Sequence, residues 1–172
     1  MDDIRELTAA EAERRLTELG EVLADAVEGG ASVSFLRGFT VAQAVDFWRS
    51  QLPAIGAGTR RLVVAEEGGT IAGTVVVTFA PQPNQPHRGD VSKMLVRRRC
   101  RGRGLGARLL AEAEATAARH GRTLLVLDTV SGSAGDRLYT RAGWVKIGEI
   151  PGYALSADGV PEAASFFYKQ LR

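Results

Sequence analysis

The run Arg101-Gly102-Arg103-Gly104-Leu105-Gly106 carries the clearest chemistry in this chain of 172 residues. It lies between a β-like run, Asp90-Val91-Ser92-Lys93-Met94-Leu95-Val96, and an amphipathic helical pattern. A glycine turn in that position aims free backbone N–H groups at an anion, and the positive end of the helix macrodipole adds to the attraction. Gly104 and Gly106 let backbone approach a ligand without Cβ interference, while Gly102 takes positive φ at low cost. Arg101, three positions before Gly104, can close over the anion as a fork of donors. With Arg97, Arg98, Arg99, Arg103 and Arg108 it makes six guanidiniums in twelve residues, on a chain whose formal net charge is +2. The turn reads as a phosphate cradle; the alternative is a flexible basic turn ahead of a helix.

Around the turn the hydrophobic period changes several times. Ile4 to Leu7 reads as a short strand. Thr8 with Glu11 forms a capping box, and Leu16, Leu19, Leu23 and Val27 then predict one helix over 9–27 that stops at Gly29-Gly30. Thr40 caps a second helix bearing Val41, Ala44, Val45 and Trp48, which Pro53 and Gly56-Ala57-Gly58 end. Two β-branched runs, 61–66 and 70–79, flank Gly68-Gly69 as a hairpin. Prolines 81, 83 and 86 mark an exposed connection to the strand 90–96. Leu105, Leu109, Leu110, Ala113 and Ala117 form the buried face of the helix after the glycine turn, which ends near His120-Gly121. Thr123-Leu124-Leu125-Val126-Leu127 is a nearly continuous apolar strand, as expected where both faces are covered and the neighbour is parallel. Ser131 or Ser133 caps a third helix through Leu138 and Tyr139, closed by Gly143. Residues 144–147 and 165–169 supply a final strand pair.

This order, β-α-α-β-β-β-α-β-α-β-β, predicts a single α/β domain over residues 1–172, with a mixed central sheet flanked by helices on both faces. Ligands in such sheets bind beyond the carboxyl ends of parallel strands, where residues 97–106 and Asp128 would meet. Asp128 closes the apolar run 123–127, so it is the carboxylate best placed for chemistry there.

Composition narrows the classes. The sequence is 45% hydrophobic and 24% charged, as in an ordinary globule. No apolar run approaches the ~20 residues that span a bilayer, and Met1-Asp2-Asp3-Ile4-Arg5-Glu6 is too acidic for a secretory signal; a cytoplasmic protein without a membrane partner is expected. Cys100 is the single cysteine and there are two histidines, so no metal site is expected. Cys100 among arginines reads as a reactive thiol or, with no histidine near it in sequence, as a spectator in a turn. His120 reads as a surface residue at a helix C-terminus. The 20 acidic residues against 22 basic, with no aromatic among the arginines, argue against a nucleic-acid partner.

With these elements in place, Arg101, Gly104 and Gly106 resemble the phosphate motif of the GNAT superfamily of N-acetyltransferases: Arg or Gln, two residues, Gly, one residue, then Gly or Ala. Leu138-Tyr139-Thr140-Arg141-Ala142-Gly143-Trp144 is similar to the family's Leu-Tyr-x-x-x-Gly-Phe. Residues 30–36 and 148–154 look like the tabtoxin-resistance type within it. The resemblance implies the GNAT fold, acetyl-CoA as cosubstrate and an amine acceptor. Met94, Leu95 and Val96 would then face the pantetheine arm, and the amides of Arg101, Gly102, Arg103, Gly104, Leu105 and Gly106 would hold the pyrophosphate. Arg98 stands where the family often has proline, and Gly132 where it often has an asparagine that can contact the cofactor arm.

The implied reaction is direct attack of an amine on the thioester. A backbone N–H near Val96 would polarise the carbonyl. Tyr139 would give the departing thiolate its proton, the alternative being a core tyrosine. Asp128 would take the amine's proton, bind the ammonium, or satisfy nearby loop amides, and Glu149 is a weaker candidate for the base. Phe35, Phe39, Phe47, Trp48 and Tyr153 divide between core and acceptor pocket. A small amine such as a toxin or antibiotic is the first expectation for the acceptor; a protein N-terminus or lysine comes second. A non-catalytic acyl-CoA sensor is the competing class, and a homodimer is left open.

Overall fold

The computed structural model describes residues 3–171. Seven strands form one sheet in the order β1-β2-β3-β4-β5-β7-β6. β1 (Asp3–Leu7), β2 (Arg60–Glu67), β3 (Thr70–Phe79) and β4 (Arg88–Val96) are joined antiparallel. β4 then runs parallel to β5 (Leu124–Val130), and β7 (Pro161–Gln170) returns antiparallel between β5 and β6 (Val145–Leu155). α4 (Leu105–Arg119) is the crossover between the two parallel strands. A mixed α/β architecture is what the periodicities predict.

Local chemistry explains most element boundaries. At the start of α1 (Ala9–Arg14) the Glu11 N–H donates to Thr8 Oγ1 at 3.2 Å, and the Thr8 N–H donates to Glu11 Oε2 at 2.8 Å. The expected continuous helix over 9–27 is broken, because Arg15 leaves helical geometry (φ −115°, ψ 19°) before α2 (Leu16–Glu28) begins. The Arg15 guanidinium is tied to Glu66 at 2.5 Å, to Glu18 at 2.7 Å and to the Gly69 carbonyl at 3.0 Å. The change of direction lets Leu19, Val22 and Leu23 lie fully buried against the sheet. α3 (Val41–Gly56) starts at the predicted Thr40 cap but runs through Pro53 rather than ending there. A proline in the last turn forfeits one donor, and the Ala57 N–H still closes on the Pro53 carbonyl at 2.9 Å.

The helices make two cores. α2 and α3 bury Leu19, Val22, Leu23 and Trp48 against Leu62, Val64 and Val76 on one face. α4 buries Leu105, Leu109 and Leu110 against Val63, Val75 and Leu125 on the other, where Tyr139 of α5 (Ala134–Arg141) joins them. Among the described residues no helix is long and apolar enough to cross a membrane.

Two expectations about the C-terminal half change. β5 reads as a strand covered on both faces, yet only Leu125 and Leu127 are buried, while Leu124 and Val126 are half-exposed. The reason is that α2 and α3 pack over β2, β3 and β4 and stop short of β5. The last strand pair is also longer than expected, since bulges between Lys146 and Gly148 and between Ile150 and Ala154 absorb the glycines and the proline that interrupt the alternation.

Candidate functional site

β4 and β5 pair only at Arg88–Asp90 with Leu124–Val126. Beyond Asp90 they diverge, so the edge of β4 from Val91 to Val96 that faces β5 has no ladder partner. Two adjoining cavities fill the opening. The smaller, of about 520 Å³, is bordered by Ser34, Phe35, Lys93, Asp128 and Tyr153. The larger, of about 790 Å³, is bordered by Val96, Gly102, Gly104, Gly106 and Gly132. Met94, Thr129, Val130, Tyr139 and Glu162 line both.

The larger cavity contains the glycine turn. A 3-10 turn over Arg98–Cys100 drops the chain from β4, and Gly102 (φ 79°) and Gly104 (φ 76°) then take left-handed conformations. Gly104 is the N-cap of α4 and offers no side-chain cap, so the N–H groups of the first turn, at Leu105, Gly106 and Ala107, lack intrahelical acceptors. Open donors at the positive end of a 15-residue helix suit an anion such as pyrophosphate. Met94, Leu95, Val96, Arg101, Gly102, Gly104, Leu105 and Gly106 all border this cavity. Arg103 does not: it turns to Glu67, with 2.6 Å between charged atoms.

The arginines are less available to a ligand than their number suggests. Arg97 pairs with Glu21 at 2.8 Å and donates to the Ile71 carbonyl at 2.8 Å. Arg98 gives both its backbone N–H and its Nε to Asp25, each at 2.8 Å. Burial pushes the Asp25 carboxyl up, but these bonds hold it below its ordinary range. Arg98 thus clamps the turn to α2. Arg101 folds back, Nε to the Val96 carbonyl at 3.0 Å. Cys100 is buried with its thiol against Glu67 at 3.2 Å, in keeping with a spectator.

Tyr139 stands where the cavities meet. It is 5% exposed, and its ring packs on Trp144 and Phe167 with centroids 5.8 and 5.9 Å away. Burial, and then the charge of Asp128, push its pKa well above 10. Asp128 lies within β5 rather than at its end, two residues past the last pairing with β4. Desolvation raises its pKa, while a hydrogen bond from its own backbone and the charge of Lys93 pull it down.

The β5–α5 loop walls the larger cavity. Ser133 caps α5, and the Gly132 N–H donates to Asp136 Oδ2 at 2.7 Å. Asp136 also accepts from Ser165 at 3.0 Å and pairs with Lys146 at 3.4 Å. Glu149 pairs with Lys146 and is not among the residues lining either cavity, so the structure does not bring it to the site. Of the aromatic residues, Phe35 and Tyr153 line the smaller cavity. Phe39 stacks on Phe35 at 4.0 Å, and Trp48 is core, its Nε1 donating to the Leu19 carbonyl at 2.9 Å. His120 is partly exposed beside Arg61 and Phe79, outside the site.

Lys93 and Glu162 are cavity residues that sequence reasoning missed. A lysine inside an apolar strand was the available signal for the first. Its orientation depends on a bulge between β3 and β4, where Lys93 adopts φ 49° and Thr74 Oγ1 donates to its carbonyl at 2.9 Å.

The model of the acetyltransferase (GNAT) family matches residues 31–144. Among solved structures, an N-acetyltransferase from Staphylococcus aureus is similar with a TM-score of 0.81 at 19% identity, over 100% of this chain and 99% of its own. yncA from Salmonella typhimurium, solved with its cofactor acetyl-CoA, gives 0.79 at 20% identity, over 100% and 95%. A ribosomal-protein-alanine N-acetyltransferase from Brucella melitensis gives 0.80 at 24% identity, over 98% and 99%. At these identities the likeness carries the fold, and the family match carries the class.

Proposed function

The chain belongs to the acetyltransferase (GNAT) family, and from that premise we infer that it transfers the acetyl group of acetyl-CoA to a primary amine of a small molecule by direct attack. The observation that carries this reading is the position of Tyr139 at the junction of two cavities, one bordered by the glycine turn and one by Asp128. Acetyl-CoA, when bound, supplies the thioester. The N–H groups from Gly102 to Ala107 would hold its pyrophosphate, and the unpaired β4 edge at Met94–Val96 would receive its amide-bearing arm.

An amine of pKa ~10 arrives protonated at neutral pH, so it must lose a proton before its nitrogen can attack. Asp128, an exposed carboxylate on the cavity wall made more basic by partial desolvation, takes that proton. As the N–C bond forms and the C–S bond breaks, Tyr139 O–H gives the sulfur a proton; its raised pKa keeps it protonated up to that moment. The attacking nitrogen sheds a second proton as the amide forms, and that proton restores the tyrosine. Of the two protons the ammonium loses, one thus ends on sulfur and the other, taken first by Asp128, leaves to solvent.

The segments that resemble the tabtoxin-resistance type support a small acceptor, because Ser32–Leu36 and Tyr153–Ala154 both border the smaller cavity. The test is release of free thiol from acetyl-CoA across a panel of small amines and peptides. Turnover with small amines is expected. Binding of acetyl-CoA without turnover would make the protein a sensor, and turnover confined to peptides would move the acceptor to protein.

A further inference from the structure

Lys93 takes no part in those steps, yet its ammonium enters the smaller cavity. It lies over the rings of Phe35 and Phe47, 5.8 and 5.4 Å from their centroids, and 3.5 Å from Ser34 Oγ. Among the described residues it forms no ion pair. Arg60, the second cation near it, has the same sign, donates to Thr78 Oγ1 at 3.1 Å, and likewise forms no ion pair among the described residues. Both cations are desolvated, which lowers their pKa values. The backbone accepts a left-handed conformation at a non-glycine residue to place Lys93 there. Aromatic faces soften the loss of water around an ammonium but supply no counter-charge, and the carboxylate whose charge Lys93 senses, Asp128, forms no ion pair with it.

The cavity therefore has a cationic end at Lys93 and an anionic side at Asp128 and Glu162. A plain alkylamine would satisfy the carboxylates while its ammonium was repelled by Lys93. An amine with an oxyanion on the same skeleton would satisfy both. We propose that the acceptor is a small amino acid or a close relative, whose anionic group is held by Lys93 while its nitrogen lies beside Asp128. This rests on the acetyl-transfer reading and narrows it. Lys93 acts as a specificity-determining residue, separate from the proton transfers of Asp128 and Tyr139.

The experiment uses the full chain, saturating acetyl-CoA, and matched pairs of α-amino acids and their carboxamides with small, aliphatic and aromatic side chains. The amide's amino group loses its proton more readily, so the comparison is biased against the expected result. At least one acid should exceed its amide about 10-fold or more in kcat/KM. Lys93→Met should raise KM for that acid about 10-fold or more with kcat little changed, and should not raise KM for the amide, whose ammonium is no longer repelled. Lys93→Arg should keep the preference for the acid. Calorimetry with acetyl-CoA shows that each variant is folded. Should Lys93→Met fail to fold, the wild-type pairs and Lys93→Arg still decide.

Amides used as well as acids by the wild type would overturn the proposal. So would a Lys93→Met loss equal for both members of a pair, which would mark a base or a packing role. Thiol release with other amines but with no amino acid refutes this proposal alone. Silence with every amine, acetyl-CoA being bound, refutes the transfer reading along with it.

Discussion

The charge of Asp128 lifts the pKa of the Tyr139 hydroxyl beyond what burial alone does, so the two groups sense each other across the junction of the cavities. Sequence separation would not require this. Asp128 is on β5 and Tyr139 on α5, and the loop that reverses the chain between them is held by Gly132 N–H to Asp136. The arrangement has kinetic consequences.

Tyr139→Phe keeps the ring among Trp144 and Phe167 and removes the proton. Turnover should fall by ~10²–10⁴-fold while acetyl-CoA affinity, read by calorimetry, changes little. Unchanged turnover under conditions where chemistry limits the rate would return Tyr139 to the core.

Asp128→Asn should lower turnover, and the lost rate should recover as pH rises and more of the amine is already neutral. In the wild type the acid limb of kcat/KM should lie above the ordinary carboxylate range near ~4, because partial desolvation in the cavity wall raises the Asp128 pKa. No loss of rate is expected up to pH ~10, since Tyr139 stays protonated there. A variant that only raises KM would identify Asp128 as an ammonium ligand, and one with wild-type kinetics but a lower Tm as a structural residue.

Gly104→Val puts a β-branched side chain at φ 76° on the cap of α4. A Cβ there meets no atom within 4 Å, so the fold should persist at a cost of about 1–2 kcal/mol from backbone strain. Acetyl-CoA affinity should drop about tenfold or more, because the donors of the first helical turn would be screened. Wild-type affinity in a folded variant would remove the phosphate from this turn.

Gly73→Ala tests the lip of the opening. Its Cβ would fall 2.6 Å from the Leu95 carbonyl oxygen and 2.8 Å from Leu109 Cδ1, where β3 and α4 close on the end of β4. Overpacking against backbone should cost about 1–3 kcal/mol, measured by denaturant unfolding. An unchanged midpoint would mean that β4 can move aside at this point.

What the sequence determines by itself is local. The Thr8–Glu11 and Thr40 caps, the hairpin around Gly68-Gly69, the glycine turn opening α4 and the Leu-Tyr segment of α5 each depend on neighbours a few residues away, and each stands where its pattern places it. The parallel pairing of β4 with β5 follows as well, from a strand, a helix and a strand in succession.

Tertiary structure decided the rest, because partners distant in sequence compete for the same groups. Six arginines look like one positive patch until Glu21, Asp25 and Glu67, from α2 and β2, claim three of them. Arg15 breaks a periodic helix because Glu66 lies 51 residues away and holds its guanidinium. The short pairing of β4 with β5, confined to Arg88–Asp90, is a property of the assembled sheet, and Lys93 is turned by the bulge between β3 and β4. Short-range patterns carry no information about such packing: it is set by the free energy of closing many long-range contacts at once.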